Sequence, residues 1–356
     1  MTSKVFAAWL KDGAPVSAQA EALGRALEAT GFVKRLGKRD LVAIKLHVGE
    51  KNNTTHVKPE LAAEAVRQLK KAKTEPFLTD TSTLYRGQRE NAVRHALHAH
   101  AHGFTVEAVG APFLPLDGLV GAHERETKVD GELSKSVKVA GEVFLADALL
   151  VLTHATGHIE AGIGAAIKNV GMGLSSRSGK MRQHSSIDPV VENDKCTNCG
   201  KCRKWCPESA IEERDGVSFI VRKKCIGCGE CIAVCRFGAV KFNYAKGSDF
   251  LQKAMAEHAA GVIRHFGAKA CYINVLADMT TDCDCFDTNQ KKAVPDIGVI
   301  ASNDVVALDQ ATLDLTAKAT GQSLAATAHP RIIPDIQIAH AEKMGLGSRK
   351  YELVEV

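Results

Sequence analysis

The chain has 356 residues, 45% of them hydrophobic and 24% charged, a balance that excludes a disordered or fibrous polymer and suits one large globular domain with a small insert. Its formal charge of +5 is too slight to argue for nucleic acid as a partner. No stretch approaches the roughly 18 apolar residues of a membrane helix, so no membrane partner is expected either.

The start, MTSKVFAAWLKDG, has too short an apolar run for a signal segment and places Lys11 and Asp12 where small residues would precede cleavage. A cytoplasmic protein is expected. Its eleven cysteines then read as ligands, because cytosolic thiols stay reduced and a chain this long needs no staples.

In chain order, short apolar runs at Leu41 to His47, Pro76 to Asp80, Phe104 to Val109 and Ala148 to Thr153 read as strands. Between them, residues 17 to 30, 60 to 72 and 88 to 102 show helical spacing, with Pro59 placed to open the second. The histidine-rich run HALHAHAH at 95 to 102 falls on the third helix and reads as a surface face. Strands alternating with helices predict an α/β fold with a largely parallel sheet and flanking helices.

The stretch from Thr153 to His184 follows a strand and combines several glycines with His154, His158, Lys168, Asn169, Arg177, Lys180 and His184. Backbone N–H groups and cations in such a loop suit a small anion. His154 and His158 are four apart, the spacing of paired ligands on a helix, but Gly157 argues against that helix.

Residues 191–243 interrupt the α/β pattern, and the insertion is placed after Gly179. Cys196, Cys199, Cys202 and Cys206 follow C-x-x-C-x-x-C-x-x-x-C, and Cys225, Cys228, Cys231 and Cys235 repeat that spacing at an offset of 29 residues. This internal duplication is the pattern of a two-cluster ferredoxin, in which three thiolates wrap one cubane and the fourth reaches the other. One [4Fe-4S] cluster is assigned to Cys196, Cys199, Cys202 and Cys235, the second to Cys225, Cys228, Cys231 and Cys206. Zinc modules use paired knuckles instead of two even runs of four. The segment resembles bacterial two-cluster ferredoxins, with Arg236 standing where Pro207 follows the first run. Two such clusters, each about −2, would bring the net charge of +5 down to about +1.

Beyond the insert, Phe250 to Phe266 reads as a helix, Ala270 to Leu276 and Ile297 to Ala301 as strands, and Asp304 to Ala319 as a helix capped by Ser302, Asn303 or Asp304. Residues 1–190 and 244–356 are thus two parts of one α/β domain around the module. In open α/β sheets ligands bind beyond the carboxyl ends of the strands. Those ends carry Lys45, His47, Asp80, His154, Asp278, Ser302 and Asp304, a candidate pocket. Near them Cys283 and Cys285, in the segment TTDCDC, point the same way in an extended chain and could chelate an additional metal or form a redox pair. Cys271 reads as a core residue.

Taken in order, VAIKLHVGE at 42 to 50, DTSTLYRGQREN at 80 to 91, THATGH, AAIKNVGMG, SRSGK, the cysteine runs, TTDCDC and PDIGVIASNDVVALDQA at 295 to 311 resemble the domain-of-unknown-function 362 family of iron-sulfur-centre proteins. The resemblance implies an α/β scaffold with two [4Fe-4S] clusters and no particular reaction. Three functions follow as expectations. In a low-potential iron-sulfur oxidoreductase, an external electron donor or acceptor protein would exchange electrons with the clusters, which would pass them to a substrate or metal in the pocket. There His154, His158 or His184 would move protons, and Lys45, Lys168 and Arg177 would hold a small anionic substrate. The others are an electron-transfer adaptor that docks a partner enzyme and a cluster-dependent redox or metal sensor. No G-x-G-x-x-G follows a strand, which disfavours a bound dinucleotide.

Overall fold

The computed structural model describes residues 2–85, 87–184, 189–206, 208–225, 230–241 and 247–356. Seven strands build the central sheet: β1 (Ser3–Trp9), β2 (Leu41–Lys45), β3 (Glu75–Thr79), β4 (Ala148–His154), β5 (Ala270–Leu276), β6 (Gly298–Ser302) and β7 (Tyr351–Glu355). Their spatial order is β7-β1-β6-β5-β4-β2-β3. Four neighbouring pairs are parallel, and only β6 runs against its neighbours β1 and β5. The fold is therefore mixed α/β with a largely parallel sheet.

Both faces of the sheet are covered, which is why its inner strands read as continuous apolar runs. Helices α1 (Val16–Ala29), α2 (Pro59–Lys70) and α3 (Ala92–Ala101) lie over one face. There Leu23, Leu27, Leu61 and Leu69 pack on Val42, Ile44, Leu150 and Ile273. Alternate strand residues Ala43, Leu149, Val151 and Tyr272 face the other way. They meet α4 (Ala166–Gly171), α6 (Ser248–Phe266), α7 (Val305–Thr320) and α8 (Asp335–Lys343), while α5 (Arg177–His184) packs against α6. Pro59 opens α2 as expected, and Asp304 is the residue that caps α7, accepting from Val306 and Ala307 N–H at 2.9 Å each.

Several sequence expectations are corrected. Phe104 to Val109 is not a strand: Thr105 Oγ1 accepts from Ala108 N–H at 3.1 Å and Gly110 takes a left-handed φ of 80°, so cap and stop enclose a single helical turn, Val106–Val109. The reversed direction of β6 carries Ser302 and Asp304 to the sheet edge opposite the other strand ends, out of the candidate pocket. His95 and His98 are buried, at 0% and 6% exposure, so 95 to 102 is not a surface face. The carbonyls after β2 supply the reason, since His98 Nε2 donates to Gly49 O at 3.0 Å and His102 Nδ1 to Val48 O at 2.8 Å. Gly179 lies inside α5, so the α/β body continues through that helix before the insert begins.

The two ends of the segment expected to be an insert lie together. Val190–Val191 pairs antiparallel with Val240–Lys241, and a second short hairpin joins Ile211–Arg214 to Val217–Ile220. Between them sits a separate small core in which Cys202 and Cys231 are buried with Ile211, Ile220 and Val240, and Cys206, Cys225 and Cys235 pack against it. No helix among the described residues is long and apolar enough to cross a membrane.

Candidate functional site

The parallel strands β2, β3, β4 and β5 end on one edge, and a cavity of about 650 Å³ opens there. Its polar lining includes Lys45 and His47 after β2, Asp80 and Arg89 after β3, His154, His158, Glu160 and Lys168 after β4, and Lys180 and His184 on α5. The loop after β5 adds Cys283, Asp284 and Cys285. Of the eight residues given a chemical role beyond the cluster cysteines, seven converge here: Lys45, His154, His158, Lys168, His184, Cys283 and Cys285. Arg177 and Asp278 do not line the cavity: Arg177 Nη2 turns to Leu84 O at 3.4 Å.

Two glycines allow this closeness. A Cβ on Gly157 would stand 2.1 Å from Thr281 O, and one on Gly173 would stand 2.6 Å from Lys45 Nζ. Any larger residue would push the TTDCDC loop or the lysine away.

Charges at the floor are paired. Lys45 Nζ lies 3.1 Å from Asp80 Oδ1 and donates to Asn169 Oδ1 at 2.6 Å. Arg89 joins Glu50 at 2.7 Å to Asp80 at 3.3 Å. Burial alone would raise the Asp80 pKa, but the Lys45, His95, Arg89 and Lys180 charges hold its carboxyl down to about 2. Lys180 Nζ donates to Thr81 Oγ1 at 2.7 Å and to Ser82 O at 2.5 Å. Burial pushes that amine down to about 8.

The histidines divide by their hydrogen bonds. Burial opposes a charge on His154, yet Asp284, whose Oδ2 lies 2.9 Å from Nδ1, raises its pKa, and Ala277 O lies 3.1 Å from Nε2. With acceptors on both sides His154 is an imidazolium that clamps the Cys283–Cys285 segment, and neither nitrogen is open to a metal. His158 Nδ1 accepts from Glu160 and Ala161 N–H at 3.1 and 3.0 Å. Burial, with Lys168 and His184 nearby, keeps its pKa well below the usual range, so its single proton sits on Nε2. Burial together with Lys168 and Lys180 brings His184 down to about 4; its Nδ1 lies 3.9 Å from Glu160 Oε2.

Five cationic side chains thus line the cavity with three carboxylates, Asp80, Glu160 and Asp284. Lys168 alone of the five has no hydrogen-bond or ion-pair partner among the described residues, and burial lowers its pKa to about 8. It is the amine available to an incoming anion. Leu84, Ile159, Met172, Leu251, Met255 and Phe286 supply the apolar remainder of the wall, the composition expected of a small-molecule site.

Cys283 and Cys285 are joined by a disulfide. Of the two expectations for them, this is the paired form; bonded sulfurs would have to be reduced before they could hold a metal. Cys271 is buried in β5 as expected, and burial pushes its thiol up to about 12.

In the segment 191–243, Cys196, Cys199, Cys202, Cys206 and Cys225 are free thiols, while Cys228 and Pro207 lie outside the described residues. Ala210 N–H donates to Cys206 Sγ at 3.2 Å and Ala239 N–H to Cys235 Sγ at 3.3 Å. The same bond recurs at the 29-residue offset, on the last cysteine of each run. Cysteine sulfurs with N–H···S donors suit an iron-sulfur cluster, whose thiolates accept such bonds. Among the described residues no three His, Cys, Asp or Glu side chains are gathered as a metal site. The short helix Glu230–Ala233 of this segment lies against α5, which carries Lys180 and His184.

Sequence reasoning did not single out Arg89, Glu50 or Asp284, although each stood inside a motif it quoted. Their signal was weak because a charge in a loop is ordinarily solvated.

Comparison with known proteins extends this description. A family model described as a domain of unknown function (DUF362) matches residues 42–314, a span that contains every cavity-lining group. Over 57 residues, 16% of the chain, the sequence is 33% identical to pyruvate synthase subunit PorD of Methanocaldococcus jannaschii and 31% identical to that of Methanothermobacter thermautotrophicus. The matched stretch spans 63% of the first protein and 67% of the second. Among solved structures, the lactate racemase apoprotein from Thermoanaerobacterium thermosaccharolyticum overlaps 86% of this chain and 55% of its own, at a TM-score of 0.44 and 10% identity. A Thermotoga maritima protein overlaps 76% and 53%, at 0.41 and 12%. Both likenesses are too loose to carry an argument.

Proposed function

The chain belongs to the DUF362 family, and from that premise we propose that it is a cytoplasmic iron-sulfur oxidoreductase that reduces a small anionic substrate in the cavity. In this reading residues 191–243 are an inserted module for two [4Fe-4S] clusters, one held by Cys196, Cys199, Cys202 and Cys235, the other by Cys225, Cys228, Cys231 and Cys206. When bound, the clusters supply one-electron transfer at low potential. The observation that carries the proposal is the contact of the module's helix Glu230–Ala233 with α5, whose Lys180 and His184 line the cavity. The paired termini of the insert and the repeated N–H···S bonds support the same reading.

The roles of the side chains follow from their partners. Lys168 Nζ binds the anion, with Lys45 and Lys180 adding positive potential from the floor. His158 offers the Nε2 proton as a hydrogen-bond donor. His184, neutral near pH 7 and next to Glu160, is placed to pass a proton from Nδ1 or Nε2. His154 positions the Cys283–Cys285 loop through Asp284. The apolar wall excludes water around the substrate.

Anaerobic purification with metal analysis and electron paramagnetic resonance tests the reading. About eight irons per chain and two reducible cubane signals are expected; zinc without a reducible signal would defeat it. A second reading, an electron-transfer adaptor for a partner enzyme, draws on the similarity to a pyruvate synthase subunit. In that case Lys168→Met would leave electron transfer untouched and small anions would not bind.

A further inference from the structure

The Cys283–Cys285 disulfide lines the cavity but is a poor staple. A bond between residues two apart closes a minimal loop and removes little entropy from the unfolded chain. The segment is also anchored without it. Cys283 O accepts from Phe286 N–H at 3.0 Å and from Gln290 Nε2 at 3.3 Å, and Asp284 O accepts from Glu50 N–H at 3.1 Å. The Asp284 carboxylate is held by His154 at 2.9 Å and by Thr55 Oγ1 at 3.2 Å. Opening the sulfur bond therefore leaves the loop in place, with two adjacent thiols facing a bound anion.

We propose that Cys283 and Cys285 are a two-electron dithiol–disulfide centre that reduces a small carboxylate-bearing disulfide in the cavity. In the reduced pair Cys285, the more exposed of the two, attacks a substrate sulfur; the substrate S–S bond breaks and one substrate thiol leaves with a proton. Cys283, only 4% exposed, then attacks Cys285 of the mixed disulfide, releasing the second substrate thiol and re-forming the Cys283–Cys285 bond. Two electrons and two protons have passed to the substrate. The protein disulfide regains them from a low-potential one-electron donor, two electrons and two protons per cycle. Only this last source rests on the iron-sulfur reading above; the exchange itself does not. The uncommitted Lys168 ammonium supplies the carboxylate selectivity, and the surrounding cations favour a thiolate on Cys285.

The test is differential alkylation of the full-length protein, read by mass spectrometry. After aerobic purification Cys283 and Cys285 should resist alkylation in denaturant until reduced, whereas Cys271 reacts at once. Dithiothreitol applied to the folded protein should open the pair with an unchanged far-ultraviolet spectrum. Oxidised glutathione, the carboxylate-bearing probe, should re-close it with release of two thiols per chain, about tenfold faster than the neutral hydroxyethyl disulfide, an advantage lost in Lys168→Met. Cys283→Ser should trap a glutathione adduct on Cys285, and Cys285→Ser should trap none. Free, unpaired thiols in the purified protein, or a disulfide that opens only on unfolding, would overturn the centre. Equal rates with the two probes would overturn the substrate class. Iron content decides the cluster reading separately, so the two proposals can fail independently.

Discussion

The body and the insert hold their polar groups in opposite ways. Around the cavity most buried charges are already paired, Lys45 with Asp80, Arg89 with Glu50 and Asp80, and His154 with Asp284, with Lys168 the exception. They sit over two apolar cores that cover both faces of the sheet. Among the described residues of 191–243, the small core has five buried members, two of them cysteines, a slight apolar core for a unit of that size. The difference teaches where folding free energy comes from: apolar burial in the body and, on the proposed reading, ligand binding in residues 191–243.

The largest expected effect comes from removing iron. Chelation should open residues 191–243 to protease while the body keeps its thermal transition; loss of both together would erase the distinction. Next is Asp80→Ala, which strands the Lys45 and Arg89 charges in the body's interior. A destabilisation of about 3–5 kcal/mol is expected in urea unfolding, with cluster signals unchanged in whatever fraction remains folded.

Lys168→Met should cost about 1.5–3 kcal/mol in anion affinity, measured calorimetrically, because a charged hydrogen bond is lost. It should leave the fold intact, since the amine has no partner to strand. A pH series sharpens this. Because the Lys168 amine is lowered to about 8 in the folded chain from 10.5, anion affinity should fall as pH rises through about 8 and the ammonium is lost. Stability has the opposite sign: the unfolded chain binds the extra proton between those values, so the burial cost, complete below pH 8, is relieved as pH rises toward 10.5. A profile flat across this window would remove Lys168 from the site. The smallest effect is a control, Thr105→Ala, which removes a helix cap in the body outside the cavity lining and should cost about 1 kcal/mol.

Much of the site was legible because strand ends can be read locally. Lys45 and His154 each close an apolar run, and the rule that parallel strands bind ligands at their carboxyl ends brought them together before any contact was known. That rule misplaced Ser302 and Asp304, because the direction of a strand is set by its neighbours and leaves no mark on its residues. It also overlooked Arg89, whose partner Glu50 is 39 residues away.

The amino-acid sequence by itself determined what depends on short spacing: the two cysteine runs and their 29-residue repeat, the helix opened by Pro59 and the apolar strands. These are properties of residues a few positions apart, where backbone geometry dictates what shares a face. Only the tertiary structure decided which strand ran backward, which charges met, and that Cys283, Cys285 and Lys168 line one cavity. Those outcomes join groups far apart in the chain. They are settled by how two apolar faces are covered at once and by the cost of leaving a buried charge without a partner.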